Sequence, residues 1–367
     1  MNMENHQLYF FIGTEAELIK LFPVIIKCQD KGKICNIIAS GQNDLKRSRI
    51  LDFVKLNGKF VELSKEESIK KSVTGLLVWF IRTRKKARRI ISSNFIAEKL
   101  VSRPMIVHGD TISTLMGAMV GKALRMKVCH VEAGLRSHNL FSPFPEEIDR
   151  LLISRLADMH FAPGIEPYKN LRGVKGRVVN TEFNTILDSL AFSKEIPVLT
   201  NGLEELSDTD YFVFVMHRQE NLVNKGFMRQ VIKHVNKIAQ KRKCVLILHK
   251  ITENALNQMK ILEELKNSSR FVLLPRVDYF DFMKLLENAE FVITDGGSNQ
   301  EELYYMGKPC LIMRKQTERL EGIGSNVLLY RGRIEMIERF AGEYANYVSE
   351  SLVGIYSPSE IICGNIE

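Results

Sequence analysis

Four polar clusters stand directly behind short apolar runs, and their residue types suit work on a phosphorylated sugar. His108-Gly109-Asp110-Thr111 follows residues 105–107, and Glu132-Ala133-Gly134 follows residues 128–131. His217-Arg218-Gln219-Glu220 follows residues 212–216, and Asp295-Gly296-Gly297-Ser298 follows residues 291–294. Any one cluster alone has a plain structural reading: a His at a strand end is commonly a hydrogen-bonded structural residue, and a carboxylate there commonly caps a helix. Asp110 could cap a helix over residues 111–124 in that way. The recurrence of such clusters at four strand ends is what points to a site.

The glycine pair Gly296 and Gly297 lets an anion approach the backbone, and the amides of a following helix would point at it. Ser298 adds a hydroxyl, and Glu302, one turn further on, could accept hydrogen bonds from ribose hydroxyls. The alternative for Glu302 is a solvated helix face. His217 and Arg218 supply charge-assisted donors for a departing phosphate. Together these residues suit a nucleoside diphosphate seated on the second half of the chain. The loop is neither a Walker A motif nor a G-x-G-x-x-G fingerprint, which argues against ATP and NAD. The first half offers Asp110, Glu132, Glu146 and Glu147, with Arg136 and Arg150 close enough in sequence to pair with them. Two carboxylates can exchange protons with a substrate if burial keeps one protonated and leaves the other ionised. Pro143-Phe144-Pro145 stiffens the approach to Glu146, whose plain reading is an acid favoured by a helix N-terminus.

The elements that must position these groups alternate. Strands are expected over residues 8–12, 34–38, 105–107, 128–131, 159–162 and 176–179, with a helix over 17–27. A second series follows over residues 212–216, 244–248, 271–274, 291–294 and 310–313. Strand–helix alternation implies parallel sheets covered on both faces. The fold class is therefore α/β, with two Rossmann-like doubly wound domains, residues 1–185 and 186–367, the last helix returning to the first domain. Ligands bind beyond the carboxyl ends of such strands, so two facing sheets would share a ligand cleft.

The 367 residues, 45% of them hydrophobic and 26% charged, have ordinary globular usage and are long enough for two domains. No apolar run approaches the roughly 18 residues of a membrane helix. The polar start followed by a short apolar run is the wrong order for a secretory signal. The six cysteines show no C-x-x-C spacing and read as reduced, mostly buried thiols of a cytoplasmic protein, with no metal site.

The motifs now suffice for a resemblance. His130-Val131-Glu132-Ala133-Gly134-Leu135-Arg136, Pro143-x-Pro145-Glu146-Glu147-x-x-Arg150, His108-Gly109-Asp110-Thr111 and His217-Arg218-x-Glu220-Asn221 resemble the non-hydrolysing UDP-N-acetylglucosamine 2-epimerases. So do Pro275 through Phe282, the Gly296–Glu302 loop, Gly307-Lys308-Pro309 and Met313-Arg314-x-x-Thr317-Glu318-Arg319. The resemblance covers nearly the whole chain and implies a GT-B-type fold and a homodimer. It implies loss of the C2 proton as UDP leaves C1, retention of 2-acetamidoglucal and UDP, and re-addition after C2 is reprotonated on its other face. On this chain it makes Asp110, Glu132 and Glu146 the acid/base candidates and His217 the group that stabilises the leaving diphosphate. Lys20, Arg136, Arg150, Arg218, Gly296, Gly297, Ser298, Glu302 and Arg319 become substrate-binding residues, with Pro275–Phe282 at the uracil. It requires neither cofactor nor metal.

Three positions depart from the family pattern. Glu15 stands where the family's first loop has arginine, although Glu17 and Lys20 match; Asn43 follows Gln42 where a His is usual; and Phe183 precedes Asn184-Thr185 where Gly is usual. One further stretch lies outside the family chemistry. From Leu76 to Arg89, an apolar segment with the single tryptophan, Trp79, runs into Arg82, Arg84, Lys85, Lys86, Arg88 and Arg89, six of the chain's net nine positive charges. The stretch is either a core helix becoming solvated or a contact with an anionic membrane at the inner face of the cell membrane. It carries no nucleic-acid recognition module. A membrane contact would suit the alternative function, a GT-B glycosyltransferase that moves a sugar from a UDP-sugar to a lipid-linked or glycan acceptor. A pure scaffold would have little use for the carboxylate set beside His217. The leading expectation is an epimerase making UDP-N-acetylmannosamine for a surface polysaccharide.

Overall fold

Runs rich in β-branched and aromatic residues, too short for helices and buried along nearly their whole length in the central strands, build two parallel sheets. The computed structural model describes residues 7–64, 73–95, 100–139, 145–200, 206, 209–317 and 319–366. The chain divides into two units, Met1–Ser189 with Tyr356–Glu367, and Leu190–Ile355. Pro143, Phe144 and Glu318 lie outside the described residues.

The first unit holds β1 (Gln7–Ile12), β2 (Ile34–Ala39), β3 (Phe60–Glu62), β4 (Pro104–His108), β5 (Lys127–Val131), β6 (Met159–Ala162) and β7 (Arg177–Asn180). Their order is β3-β2-β1-β4-β5-β6-β7, parallel throughout. Phe10 at the centre of β1 faces Ile37 on one side and Ile106 on the other. The chain leaves β1 toward β2 and β3, then returns to lay β4 on β1's other side. Loops after β1 and β4 therefore diverge, which opens a crevice where a ligand can reach backbone and side chains. Each loop ends in a capped helix: Thr14 Oγ1 accepts from Glu17 N at 3.3 Å, and Thr111 Oγ1 accepts from Thr114 N at 3.2 Å. The cap after β4 is thus Thr111, which leaves the Asp110 carboxylate available for other partners. The first helix runs over Glu15–Asp30, longer at both ends than the periodicity of residues 17–27 suggests.

The long helix Val73–Asn94 lies on this sheet through a stripe at four-residue spacing, Trp79, Thr83, Ala87 and Ile91, all buried. Trp79 Nε1 donates to Ser64 Oγ at 3.1 Å, so its polar edge is satisfied. The short helix Pro358–Asn365 packs on Glu15–Asp30, and Ser359 N donates to the buried Asp188 carboxylate at 2.7 Å.

The second unit holds β8 (Tyr211–Val215), β9 (Lys243–Leu248), β10 (Phe271–Pro275), β11 (Val292–Thr294), β12 (Cys310–Ile312) and β13 (Val327–Leu329). The order β10-β9-β8-β11-β12-β13 repeats the plan, again parallel, with its switch point at β8 and β11. One core, including Phe212, Phe214, Phe291 and Phe340, fills this unit, and Phe212 stacks on Phe291 at 5.1 Å. Two strands escape the sequence pattern, β3 and β13. Both are three-residue edge strands that bury one residue each. No helix among the described residues is long and apolar enough to cross a membrane.

Candidate functional site

In the first unit the site is built on a buried carboxylate one residue past β5. Glu132 holds φ at +62°, a left-handed conformation that a non-glycine residue keeps only where its surroundings over-determine it. Here two donors do so. Lys20 Nζ lies 2.6 Å from Glu132 Oε1 and Asn184 Nδ2 donates to the same oxygen at 2.6 Å, while His108 Nε2 stands 3.5 Å from Oε2 without a hydrogen bond. Both members of the Lys20–Glu132 pair are nearly buried, so removing either leaves an unpaired buried charge, at a cost of about 3–5 kcal/mol. Gly134 follows at φ +87°, where a Cβ would sit 2.1 Å from the Pro167 carbonyl oxygen.

Asp110 and Arg150 meet in a fork, Nε to Oδ2 at 2.9 Å and Nη2 to Oδ2 at 2.6 Å. Arg150 Nη1 also reaches Glu147 Oε2 at 3.1 Å, where Ser137 N and Oγ donate as well. Those donors outweigh burial and hold the Glu147 carboxyl below its usual range. Glu146 opens the helix Glu146–Leu156, and its Oε2 is buried without a hydrogen-bond partner among the described residues. Asp149 is buried one turn on; burial, with Asp110 and Glu146 nearby, pushes its carboxyl up to about 7. Arg136 turns away from the carboxylates, donating to Leu135 O at 2.9 Å and Ser154 Oγ at 2.8 Å.

Glu17 is the residue that sequence reasoning undervalued here. It lies on the crevice side of the first helix, taking hydrogen bonds from Gly13 N and Thr111 Oγ1, each at 2.6 Å. Burial outweighs those donors and raises its carboxyl to about 7. His108 and His130 are driven down to about 4 and about 3, chiefly by burial, so both rings are neutral scaffolding. His130 Nε2 bonds Gly109 O at 2.8 Å.

Two of the departures from the family pattern, Glu15 and Asn43, interlock. Glu15 turns its carboxylate to Ser48 Oγ at 3.5 Å, while its backbone N–H donates to Asn43 Oδ1 at 3.1 Å. Gln42 Oε1 accepts from Ser113 Oγ at 2.6 Å. Phe183 packs against Tyr356 at a tilt, with ring centroids 4.8 Å apart, and its neighbour Asn184 supplies the bond to Glu132.

In the second unit the organising group is Asp295, fully buried behind β11. Its carboxylate accepts from His217 N, Arg218 N and Asn221 Nδ2, each at 3.0 Å, and its carbonyl accepts from Arg314 Nε at 2.8 Å. It thereby ties the β8 loop to the β11 loop across the switch point. His217 Nδ1 stands 3.4 Å from Asp295 Oδ1, and the ring stacks on His249 at 4.7 Å. Burial first, then the cations Arg218, Arg314 and Arg276, lower the His217 pKa against the pull of Asp295; His249 falls to about 4 for similar reasons. His249 does not figure among the site residues expected from the sequence, and Asp295 figures there only as the first residue of its cluster, without a role. Both directly follow strands, which is the signal that could have found them.

Gly297 begins the helix Gly297–Met306. A Cβ there would stand 3.1 Å from Arg314 Nη2 and 3.6 Å from Arg319 Nε, so two guanidinium groups crowd the helix N-terminus. Ser298 is exposed in that first turn. Glu302 is buried and accepts from Asn299 Nδ2 at 3.0 Å, which sets it apart from a solvated helix face. Arg319 pairs with Glu301 at 2.8 Å, and Arg218 with Glu220 at 2.8 Å. Backbone amides, a helix dipole and nearby guanidiniums make this an anion cradle.

Residues 85–343 match the family described as UDP-N-acetylglucosamine 2-epimerase. The UDP-N-acetylglucosamine 2-epimerase of Methanocaldococcus jannaschii is 28% identical over 345 residues, covering 90% of this chain and 90% of that protein. The enzyme of the same name from Bacillus subtilis is 26% identical over 337 residues, covering 91% and 85%. A crystal structure of the Methanocaldococcus jannaschii enzyme in complex with UDP-GlcNAc and UDP resembles this one with a TM-score of 0.72 at 26% identity, over 97% of this chain and 98% of that one.

The raised Glu17 carboxyl has a consequence for stability. Its folded pKa exceeds its unfolded value, so its contribution is complete below about pH 4.5 and is lost as pH rises toward about 7. At roughly 1.4 kcal/mol per pKa unit the loss is of order 3 kcal/mol. Urea unfolding at pH 5 and pH 7.5 should show wild type losing stability over this interval and Glu17→Gln losing clearly less. Equal losses would contradict a buried, titrating Glu17.

Proposed function

The chain belongs to the UDP-N-acetylglucosamine 2-epimerase family, and on that premise we propose that it interconverts UDP-N-acetylglucosamine and UDP-N-acetylmannosamine by elimination and re-addition of UDP. What carries the reading is Asp295, which holds the His217 loop against the Gly296-Gly297 loop and so assembles a cradle for a diphosphate. His217 donates to the diphosphate as it leaves C1, and Arg218, Arg319 and the amides around Gly296, Gly297 and Ser298 hold its charge. Glu302 accepts from the ribose. In the first unit, Glu132 is fixed by Lys20, and Asp110 by Arg150; Glu146 keeps an oxygen without a partner among the described residues, and Asp149 beside it holds a proton near neutrality. A proton taken from C2 by one carboxylate of this set and returned to the opposite face by another inverts that carbon. Glu15 takes a hydrogen bond from Ser48 Oγ within its own unit. The transferase alternative is not favoured, because relatives that match along most of the chain carry the epimerase name.

The finer proposals concern place and partners. The active form is a cytoplasmic homodimer that supplies a surface polysaccharide, a reading supported by family membership. The helix Val73–Asn94 meets an anionic membrane surface. Its outward side presents Leu77, Val78 and Ile81, at 55%, 46% and 45% exposure, one turn before the exposed Arg82, Arg84, Lys85, Arg88 and Arg89. Apolar side chains leading into a cationic run fit the headgroup region of an anionic bilayer. A second copy brought to the same face would meet like charge.

Two experiments follow. Conversion of UDP-N-acetylglucosamine should be readily detected in wild type, while Glu146→Gln and Asp110→Asn lose about 10²–10⁴-fold in turnover. UDP binding by calorimetry should stay near wild type in both variants and weaken in His217→Ala. A wild type that binds UDP but forms no epimer would sink the proposal. For the helix, the protein should sediment with phosphatidylserine vesicles and not with phosphatidylcholine vesicles, and added salt should release it. Replacing Arg84, Lys85, Arg88 and Arg89 by Ser should abolish sedimentation. Wild type left in the supernatant, or a patch variant that only changes from dimer to monomer, would overturn the membrane contact.

A further inference from the structure

Glu17 makes a bond that its place in the chain does not explain. Thr14 caps the first helix, Glu15–Asp30, and Glu17 stands three residues later. That is the spacing of a capping box, in which the acid reaches back to an amide ahead of the helix. One oxygen has this kind of local duty, since Oε2 accepts from Gly13 N at 2.6 Å. The other does not. Glu17 Oε1 accepts from Thr111 Oγ1 at 2.6 Å, a residue 94 positions away in the loop behind β4. Capping of the first helix has no need of that bond.

Thr111 directly follows Asp110 and is itself the cap of the helix Ile112–Ala123. Its Oγ1 accepts from Thr114 N at 3.2 Å while donating to Glu17, so the hydroxyl is used on both sides. Thr114 Oγ1 in turn donates to His108 O at 2.5 Å, which pins the strand end ahead of Asp110. The loops behind β1 and β4 also touch: a Cβ on Gly13 would come within 2.2 Å of Ser113 Cβ. Asp110 is thus held at its side chain by Arg150, and at its backbone by a chain of bonds that ends on Glu17. Glu17 is buried with both oxygens on protein donors, an arrangement for holding a neighbour rather than for meeting a sugar. Lys20, three residues on and on the same side of the helix, holds Glu132 behind β5 at 2.6 Å. One face of the first helix therefore reaches the loops behind two adjacent strands, each carrying an acid/base candidate.

Given the epimerase reaction proposed for this chain, we infer that Glu17 is a positioning residue, which through Thr111 sets the Asp110 carboxylate where it exchanges a proton with the sugar. Without Glu17, the Thr111 hydroxyl loses its remote anchor and the loop that carries Asp110 shifts. Proton transfer then slows, while the nucleotide contacts assigned to the other unit keep their geometry. A displacement of only about 1 Å at such a group is enough to cost about 10²-fold in rate.

Steady-state kinetics with UDP-N-acetylglucosamine tests this on the whole protein. In Glu17→Ala and in Thr111→Val, kcat should fall by about 10²-fold, with KM and UDP affinity near wild type. The double variant should fall no further than the single ones, because both remove the same bond. Thr111→Ser, which keeps the hydroxyl, should keep turnover near wild type. If Glu17→Ala fails to fold, the two Thr111 variants still decide. An unchanged kcat, a loss that appears only in KM, or losses that add in the double variant would overturn the inference. A wild type that binds UDP without epimerising defeats the reaction reading instead. The crystal structure of Glu17→Ala, or of Thr111→Val should the former not fold, then judges the clasp by itself. A displaced Asp110–Arg150 fork supports it, and a fork left where wild type has it overturns it.

Discussion

A charge taken out of water must find partners on the spot, and this requirement organises both units. Asp295 and Glu17 are buried carboxylates and Glu132 a nearly buried one, all within a few residues of strand ends, where backbone amides and incoming loops converge. Each is satisfied by donors from distant segments. Asp295 draws in His217, Arg218 and Asn221 from the β8 loop; Glu132 draws in Lys20 and Asn184; Glu17 binds Gly13 and Thr111. Burying such groups contributes little net stability, yet leaving one unpaired is costly, so the loops have few alternative arrangements. The left-handed backbone at Glu132 fits this view, since its strain of about 1–3 kcal/mol is offset by the ion pair that it aims.

The same burial sets the chemistry. Where donors are many, as at Glu147, the carboxyl stays ionised; where they are few, as at Asp149, it keeps a proton into the neutral range. Neighbouring carboxyl groups of one helix are thus divided between two protonation states. In the second unit the sign reverses: Arg314 and Arg319 crowd the start of the helix at Gly297, and His217 stands beside them as a ring that burial keeps neutral.

Much of this is legible in the sequence because strand–helix alternation and polar residues directly behind apolar runs are local signals. They locate Asp110, Glu132, His217 and the Gly296-Gly297 loop without tertiary information. What escapes is what depends on partners remote in the chain. The inward turn of Arg136 toward Ser154 leaves no local trace. Glu17 and Asp149 look like ordinary first-turn acids until burial is known. The edge strands β3 and β13 also escape; each buries only one residue of three, unlike the equally short β11 and β12. The basic helix is half legible, its charge run being evident and the exposure of Leu77, Val78 and Ile81 not.

The central claim is that the buried carboxylates of the first unit break and remake a C–H bond at C2 of the sugar. Proton NMR of UDP-N-acetylglucosamine incubated with the wild-type protein in deuterated water tests it most directly. The account predicts that deuterium replaces the C2 proton in both the recovered substrate and its epimer. Turnover of the nucleotide sugar with the C2 proton fully retained would contradict it.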